Sequence, residues 1–466
     1  MESKLLRPIS QAVALALAAG GAHAATITVT DGGDASTAST CTLRQAIDSA
    51  NSDSTQGTCT PGSGTDTITF AAGLTNATIA LQYGQLLIDS SVTISGSGQT
   101  VHAGANSRVM AIYSTNAVAN VTLSDLTLTG GNFSGPGGGL AIKYGGGLGA
   151  PTTRPQGNGH TAPTASGPNV TLSQVNVSNN TSNVIAGGLF ISNATVAINQ
   201  SSISGNTLNA SGNYGAGGVY ITGGSAVTIT DSTISGNTAA GSHAFLSGGV
   251  YDYKSALSVT NSTVTGNRAS GTNDLAGGIS LANSSAGIYD STVTGNSTNT
   301  SNIVTGGILV GNQFVGAGLN ISNSILAANT GPRDMEIFGG SNVIARSDLM
   351  GAALSGAFAG NGNVFSDTPG LGALANNGGP TLTMLPQAGS PALGAGNVAL
   401  IPAGVTTDQR GAGYARVVGG SLDLGSVEAA AAPAAATPTP ALSRWAMLAL
   451  GGLLALFGVR KRKRTG

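Results

Sequence analysis

Between residues 120 and 330 apolar and polar positions alternate with a period of two, as in VTLSDLTL (121–128), VTITDSTI (227–234) and LSVTNSTV (257–264). That alternation is the mark of strands with one buried face. Aligning the segments gives an inward column of Leu123, Leu172, Ile198, Ile229, Val259, Ile288 and Ile321. A second column runs Val121, Val170, Val196, Val227, Leu257, Ala286 and Leu319. A third runs Leu128, Val177, Ile203, Ile234, Val264, Val293 and Leu326. No window carries the 3.6-residue stripe of a helical repeat.

The alternation is itself periodic. A Gly-Gly followed by apolar-x-apolar recurs at Gly187, Gly217, Gly248, Gly277 and Gly306, in steps of 30, 31, 29 and 29 residues. A second beat closes each strand with an asparagine, at Asn180, Asn206, Asn237, Asn267, Asn296 and Asn329. A period near 30 calls for a repeat architecture. Three short strands per turn, with Gly and Asn at the corners, predict a parallel β-helix whose rungs stack at ~4.8 Å. Earlier strands around Ile68, Leu87-Ile88 and Val92-Ile94 add rungs at the N-terminal end. The 49-residue jump from Leu123 to Leu172 predicts one rung plus a protruding loop, rich in Gly up to Gly147 and in Pro from Pro151 to Pro168.

Composition narrows the class. Of 466 residues, 73 are Gly and only 37 are charged (18 basic plus 19 acidic). The glycines have no strict triplet period, which excludes collagen. Residues 25–440 hold ten of the basic and 18 of the acidic groups, a net of −8. Such a surface repels phosphate backbones, so nucleic acid is excluded as a partner.

Both ends read as addresses. Lys4 and Arg7, an apolar run from Ala12 to Ala19, and Ala22-His23-Ala24 make a secretory signal over 1–24. In an oxidising compartment Cys41 and Cys59 are expected to pair in one disulfide, the other reading being two free thiols. At the far end an Ala/Pro linker (431–440) precedes an uncharged apolar run, Trp445 to Val459, and the basic cluster Arg460 to Arg464. This predicts a membrane anchor over 441–466, in contact with the bilayer through 445–459, with a cytoplasmic tail and an exported body.

Four segments resemble known families. Pro440-Ala441-Leu442-Ser443-Arg444-Trp445, with the apolar run and basic cluster that follow, resembles the IPTL-type C-terminal sorting signals of Gram-negative bacteria. CTLRQAIDSAN (41–51) is similar to the CSLREA-type motif of exported β-helix proteins. The STISGNT…GGVY beat resembles polymorphic outer-membrane repeats. The stretch 371–396, Thr407-Asp408-Gln409-Arg410-Gly411 and Asp423 to Glu428 resemble the choice-of-anchor Q domain. Together these imply an all-β, right-handed parallel β-helix over 25–365, a choice-of-anchor Q-like region over 366–430, and display at the cell envelope, anchored or released after processing. They imply no settled activity.

Catalysis has to be weighed from residues, because β-helices also carry polysaccharide lyases and hydrolases. The column before each turn reads Asp125, Gln174, Gln200, Asp231, Asn261, Asp290, Asn323. Asp231 and Asp290 lie two rungs apart, roughly 10 Å, too far to share a calcium ion and marginal for a hydrolytic pair. Mixed Asp, Asn and Gln fit a turn-capping ladder. His102, His160 and His243 show no metal-ligand spacing, so neither a catalytic residue nor a metal site is assigned, and no cofactor is implied. Asp252 breaks an apolar column and reads either as a local bulge turning it outward or as a contact for Ca²⁺ or substrate. Phe190, Tyr220 and Tyr251 on successive rungs predict an exposed aromatic stripe, suited to a polysaccharide ligand or to ring stacking that only stabilises the ladder. The expected function is therefore a non-catalytic, envelope-tethered surface protein, an adhesin or glycan binder. The alternative is a polysaccharide lyase or glycoside hydrolase of the pectate-lyase-like β-helix type.

Overall fold

The computed structural model describes residues 24–114, 118–145, 167–212, 214–241, 245–271, 275–299, 304–312 and 316–429. The signal segment to His23, the proline-rich part of the protruding loop, and the linker and anchor from residue 430 onward lie outside the described residues. No helix among the described residues is long and apolar enough to cross a membrane. The chain divides into two compact units, Met1–Glu428 and Ala429–Gly466.

The first unit is a parallel β-solenoid. All three inward columns stand in register, for example Leu172 between Leu123 and Ile198, and Ile229 between Ile198 and Val259. Ile288 then pairs with Val259 and Ile321. Members of the first column are at most 1% exposed. Small β-branched and aliphatic side chains suit this interior, since each stacks on a like residue one rung away.

Each turn holds more strands than the three expected. The turn from residue 226 to 253 contains Ala226–Thr230, Thr233–Ser235, Thr238–Gly241, Phe245–Ser247 and Val250–Tyr253. Among the described residues they belong to four sheets, of 19, 10, six and four strands. The first two strands share the widest sheet, split by one residue in the left-handed region: Asp125, Gln174, Gln200, Asp231, Asn261, Asp290 and Asn323 all have φ between 46° and 56°. Asp and Asn tolerate that conformation better than other side-chain-bearing residues. The mixed acid–amide column is thus a backbone corner.

The serine after it and the asparagine beat satisfy the corners' polar groups. Ser232 Oγ accepts from Ser201 N (3.0 Å) and donates to Thr230 O (2.7 Å), and Ser262 repeats the pattern. Asn237 Nδ2 donates to Asn267 Oδ1 (2.9 Å) and to Ile203 O (2.9 Å), inside a continuous ladder from Asn180 to Asn329. Such buried amides hold only while every member is paired. The Gly-Gly beat answers close approach between segments: a Cβ on Gly248 would collide with the Arg268 backbone N.

The N-terminal end is closed by the helix Leu43–Ser52, whose Thr42 and Gln45 form a reciprocal capping box. Its Arg44 bonds Asp34 (2.8 Å) and the carbonyls of Gly84 and Gln85. Cys41 and Cys59 are joined in the expected disulfide, which closes a short loop and is worth ~3 kcal/mol on the chain-entropy model.

Candidate functional site

The three aromatic residues do form one column. Phe190 pairs with Tyr220 and Tyr220 with Tyr251, with ring centroids 6.1 and 5.4 Å apart and planes within 18°. The exposed stripe is corrected, however: they are 6%, 4% and 1% exposed. Alternation turns them away from the solenoid interior, but that side is covered too. They share a second apolar cluster with Ala186, Ala216, Phe245 and Ala282, and Tyr214 packs edge-on against Tyr251 at 6.2 Å. Burial pushes the Tyr220 phenol above its ordinary range. Their ring faces meet one another and not solvent.

Asp252 does not sit on a bulge. It pairs in register with Ile221 and Leu281, so its side chain enters the aliphatic interior. The outward orientation is corrected: the residue is 0% exposed and neither carboxyl oxygen has a hydrogen-bond partner. Burial pushes its pKa up to about 7. The Ser284 hydroxyl opposes the shift without cancelling it, and an acid buried so deeply among aliphatics is most cheaply kept protonated.

The polar corner column is occupied by the protein's own C-terminal region, which sequence reasoning did not foresee. Thr381 Oγ1 donates to Asp231 O (3.1 Å), and Asn261 Nδ2 donates to Thr407 O (2.7 Å). Asn323 exchanges two bonds with Asn397 (2.8 and 3.1 Å). Gln409, fully buried, takes a bond from Thr263 Oγ1 (2.6 Å) and donates to Thr233 Oγ1 (2.9 Å) and Thr381 Oγ1 (3.1 Å). Ser426 bonds Thr263 and Thr292. Residues 381–428 therefore lie as a strap across successive rungs. Asp290, between them, is fully buried with both carboxyl oxygens unpartnered. Burial raises it to about 6, opposed by Arg416, and burial raises Asp231 to about 6 as well.

The strap has its own charged centre. Arg410 is paired with Asp408 (2.6 Å) and lies over the Tyr414 ring at 4.0 Å. Arg416 is paired with Glu428 (2.5 Å) and donates to the carbonyls of Asp423 and Gly425. Glu428 is held by each of its polar groups: its N–H donates to Asp408 Oδ2 (2.9 Å), its carbonyl accepts from Arg410 (2.7 Å), and its carboxylate takes Arg416 and the Asp423 N–H. All five charged residues are buried. A signal existed in the sequence: five charges fall between 408 and 428 in a chain where charge is otherwise sparse.

This arrangement fastens. It covers the corner column from Asp231 to Asn323, with Asp290 fully buried and Asp231 half-buried, while Asp125, the column's other acid, lies exposed outside it. It also fixes the residue from which the remaining chain departs. Among the described residues no group of three or more His, Cys, Asp or Glu side chains could hold a metal ion.

No curated protein matches the chain. Among solved structures, the chain is similar to the crystal structure of pectate lyase Pel9A, at 13% identity and a TM-score of 0.49, over 88% of this chain and 98% of that one. Residues 437–464 match the IPTL-CTERM motif, so the chain joins the parallel β-solenoid described above to a C-terminal sorting motif.

Proposed function

We propose that the protein is an exported rod, held at the cell envelope through residues 441–466 and displaying its solenoid surface without turning over a substrate. One observation carries the reading. Glu428, three residues before the start of the Ala/Pro linker, is bound through its amide, carbonyl and carboxylate, and the strap it ends is bonded to successive rungs. A rod pulled from its tail needs its strongest local fastening at that point, because load applied to one residue is then shared across several rungs. The strap also crosses the corner column from Asp231 to Asn323 and leaves Asp290 buried there, which favours display over catalysis along that stretch.

The test is fractionation of cells expressing the full chain or a chain ending at Pro440. The full chain is expected with the membrane fraction or as a shorter released form, and the truncated chain soluble in the periplasm or medium. Identical fractionation of both, with no shorter form, would contradict the tether. Unsaturated or shortened products from any polysaccharide incubated with residues 25–430 would contradict the non-catalytic part.

A further inference from the structure

One rung departs from the repeat in two places at once. In the strand Ser285–Tyr289 the outward positions are Gly287 and Tyr289. The neighbouring rungs carry Ser258 and Thr260 on one side, Asn320 and Ser322 on the other. A Cβ added to Gly287 would stand 2.5 Å from Cε2 and 2.6 Å from Oη of Tyr289. The ring therefore lies down over Gly287, along the outer face of the sheet, and is half-buried. Glycine in a strand interior weakens the strand, and its usual justification is the close approach of another group. Here that group is the ring.

The same strand begins in a groove. A shallow, open groove of about 750 Å³ lies along the corner between the two widest sheets, lined by Gly224, Lys254, Asn283, Ser285, Gly316 and Asn342 among others. These residues come from five successive rungs, so the groove repeats at ~4.8 Å, about the rise of one pyranose residue in an extended chain. Its lining offers the exposed Ser285 hydroxyl and the Asn283 and Asn342 amides, contains no carboxylate, and holds the Ser225, Ser255 and Ser284 hydroxyls in bonds within the solenoid. Lys254 stands exposed at the rim with its Nζ 5.0 Å from the Tyr253 ring centre. Ser285 and Gly287 are two residues apart on one face, roughly 6.6 Å, and Ser285 belongs to the third of the five rungs, so the ring flanks the groove at its middle.

We propose that this groove and the Tyr289 ring form one binding site for an extended pyranose chain. The ring takes the apolar face of one sugar at mid-groove, and the groove takes the hydroxyls of the sugars on either side. A ring already laid flat on a sheet loses little side-chain freedom on binding, which is where such sites gain affinity. The site replaces the Phe190–Tyr220–Tyr251 column as the surface for a polysaccharide, and it is independent of whether the tail anchors the protein.

The test uses residues 25–430 titrated with neutral and uronate oligosaccharides of two to six residues, followed by calorimetry or NMR. Tyr289→Ser and Gly287→Ser install residues that neighbouring rungs already carry, so both variants are expected to melt as the wild type does. Binding that strengthens with oligosaccharide length, and falls roughly tenfold or more in both variants, is the expected result. Three results would overturn the proposal: no oligosaccharide bound at millimolar concentration, binding unchanged by either substitution, or binding of uronates alone that Lys254→Ala abolishes and Tyr289→Ser does not.

Discussion

Arg416→Ala is expected to loosen the strap by about 3–5 kcal/mol, the usual cost of removing one partner from a buried ion pair. Arg416 is 1% exposed, and without it the Glu428 carboxylate stays buried with only the Asp423 N–H. The carbonyls of Asp423 and Gly425 lose their donor as well. The loss should be local, because a solenoid's stability is close to a sum over rungs and their interfaces. Limited proteolysis should then cut between residues 400 and 428 while the rungs before residue 330 stay intact. Cleavage that spreads through the rungs first, or a strap as resistant as in the wild type, would show that this network does not hold it.

Asp252→Leu is expected to stabilise the rod, and to do so more at pH 8 than at pH 4.5. The ordinary carboxyl value is 3.8 and burial raises it to about 7. A raised acid binds its proton more tightly in the folded state, so its contribution is intact below pH ~4 and is lost as pH rises towards ~7. Three units correspond to roughly 4 kcal/mol for the wild type across that window. Leucine removes the titration and joins Ile221 and Leu281 in the column. Asp231 and Asp290, both raised to about 6, and Glu428, raised by burial to about 8, slope the same way, so the variant keeps a shallower dependence that extends to about pH 8. Denaturant unfolding at both pH values reads the difference; an equal gain at each would show that Asp252 does not titrate in the interior.

How much of this was legible in the sequence follows from how local each signal is. The inward columns were readable residue by residue, since a period-two pattern repeated every ~30 residues can stack in one register only. The corner column was also readable in kind: Asp, Asn and Gln at one position meant a turn, and the structure shows that position in the left-handed region. The aromatic column was placed on the right side of the sheet and wrongly exposed. Alternation separates two faces of a strand but says nothing about what covers the second. For Phe190, Tyr220 and Tyr251 the cover comes from residues such as Ala216 and Phe245, just before the Gly-Gly beat.

Asp252 failed for a different reason. A charged side chain inside a column of aliphatics is costly enough that a bulge was the cheaper guess, and the structure accepts the cost by keeping the register. The strap was invisible because its partners are remote. Gln409 meets Thr263 at a separation of 146 residues and Ser232 at 177. Nothing in the 381–428 stretch repeats, so no periodicity could point to the rungs it crosses. The capping helix Leu43–Ser52, by contrast, had a local signature in Thr42 and Gln45 that pattern reading on strands alone passed over.

The account rests most on the strap being bonded to the rod up to Glu428. Native-state hydrogen exchange tests that at the amides of Gly425 and Ser426, which donate to Asn323 O and Thr292 Oγ1 in the rungs, and of Gln409 and Glu428, which donate within the strap to Ser426 O and Asp408 Oδ2. Protection of these four comparable to that of Ile229 and Val259 in the rungs is the predicted result. Exchange at the rate of an unstructured peptide, with the rungs still protected, would contradict it.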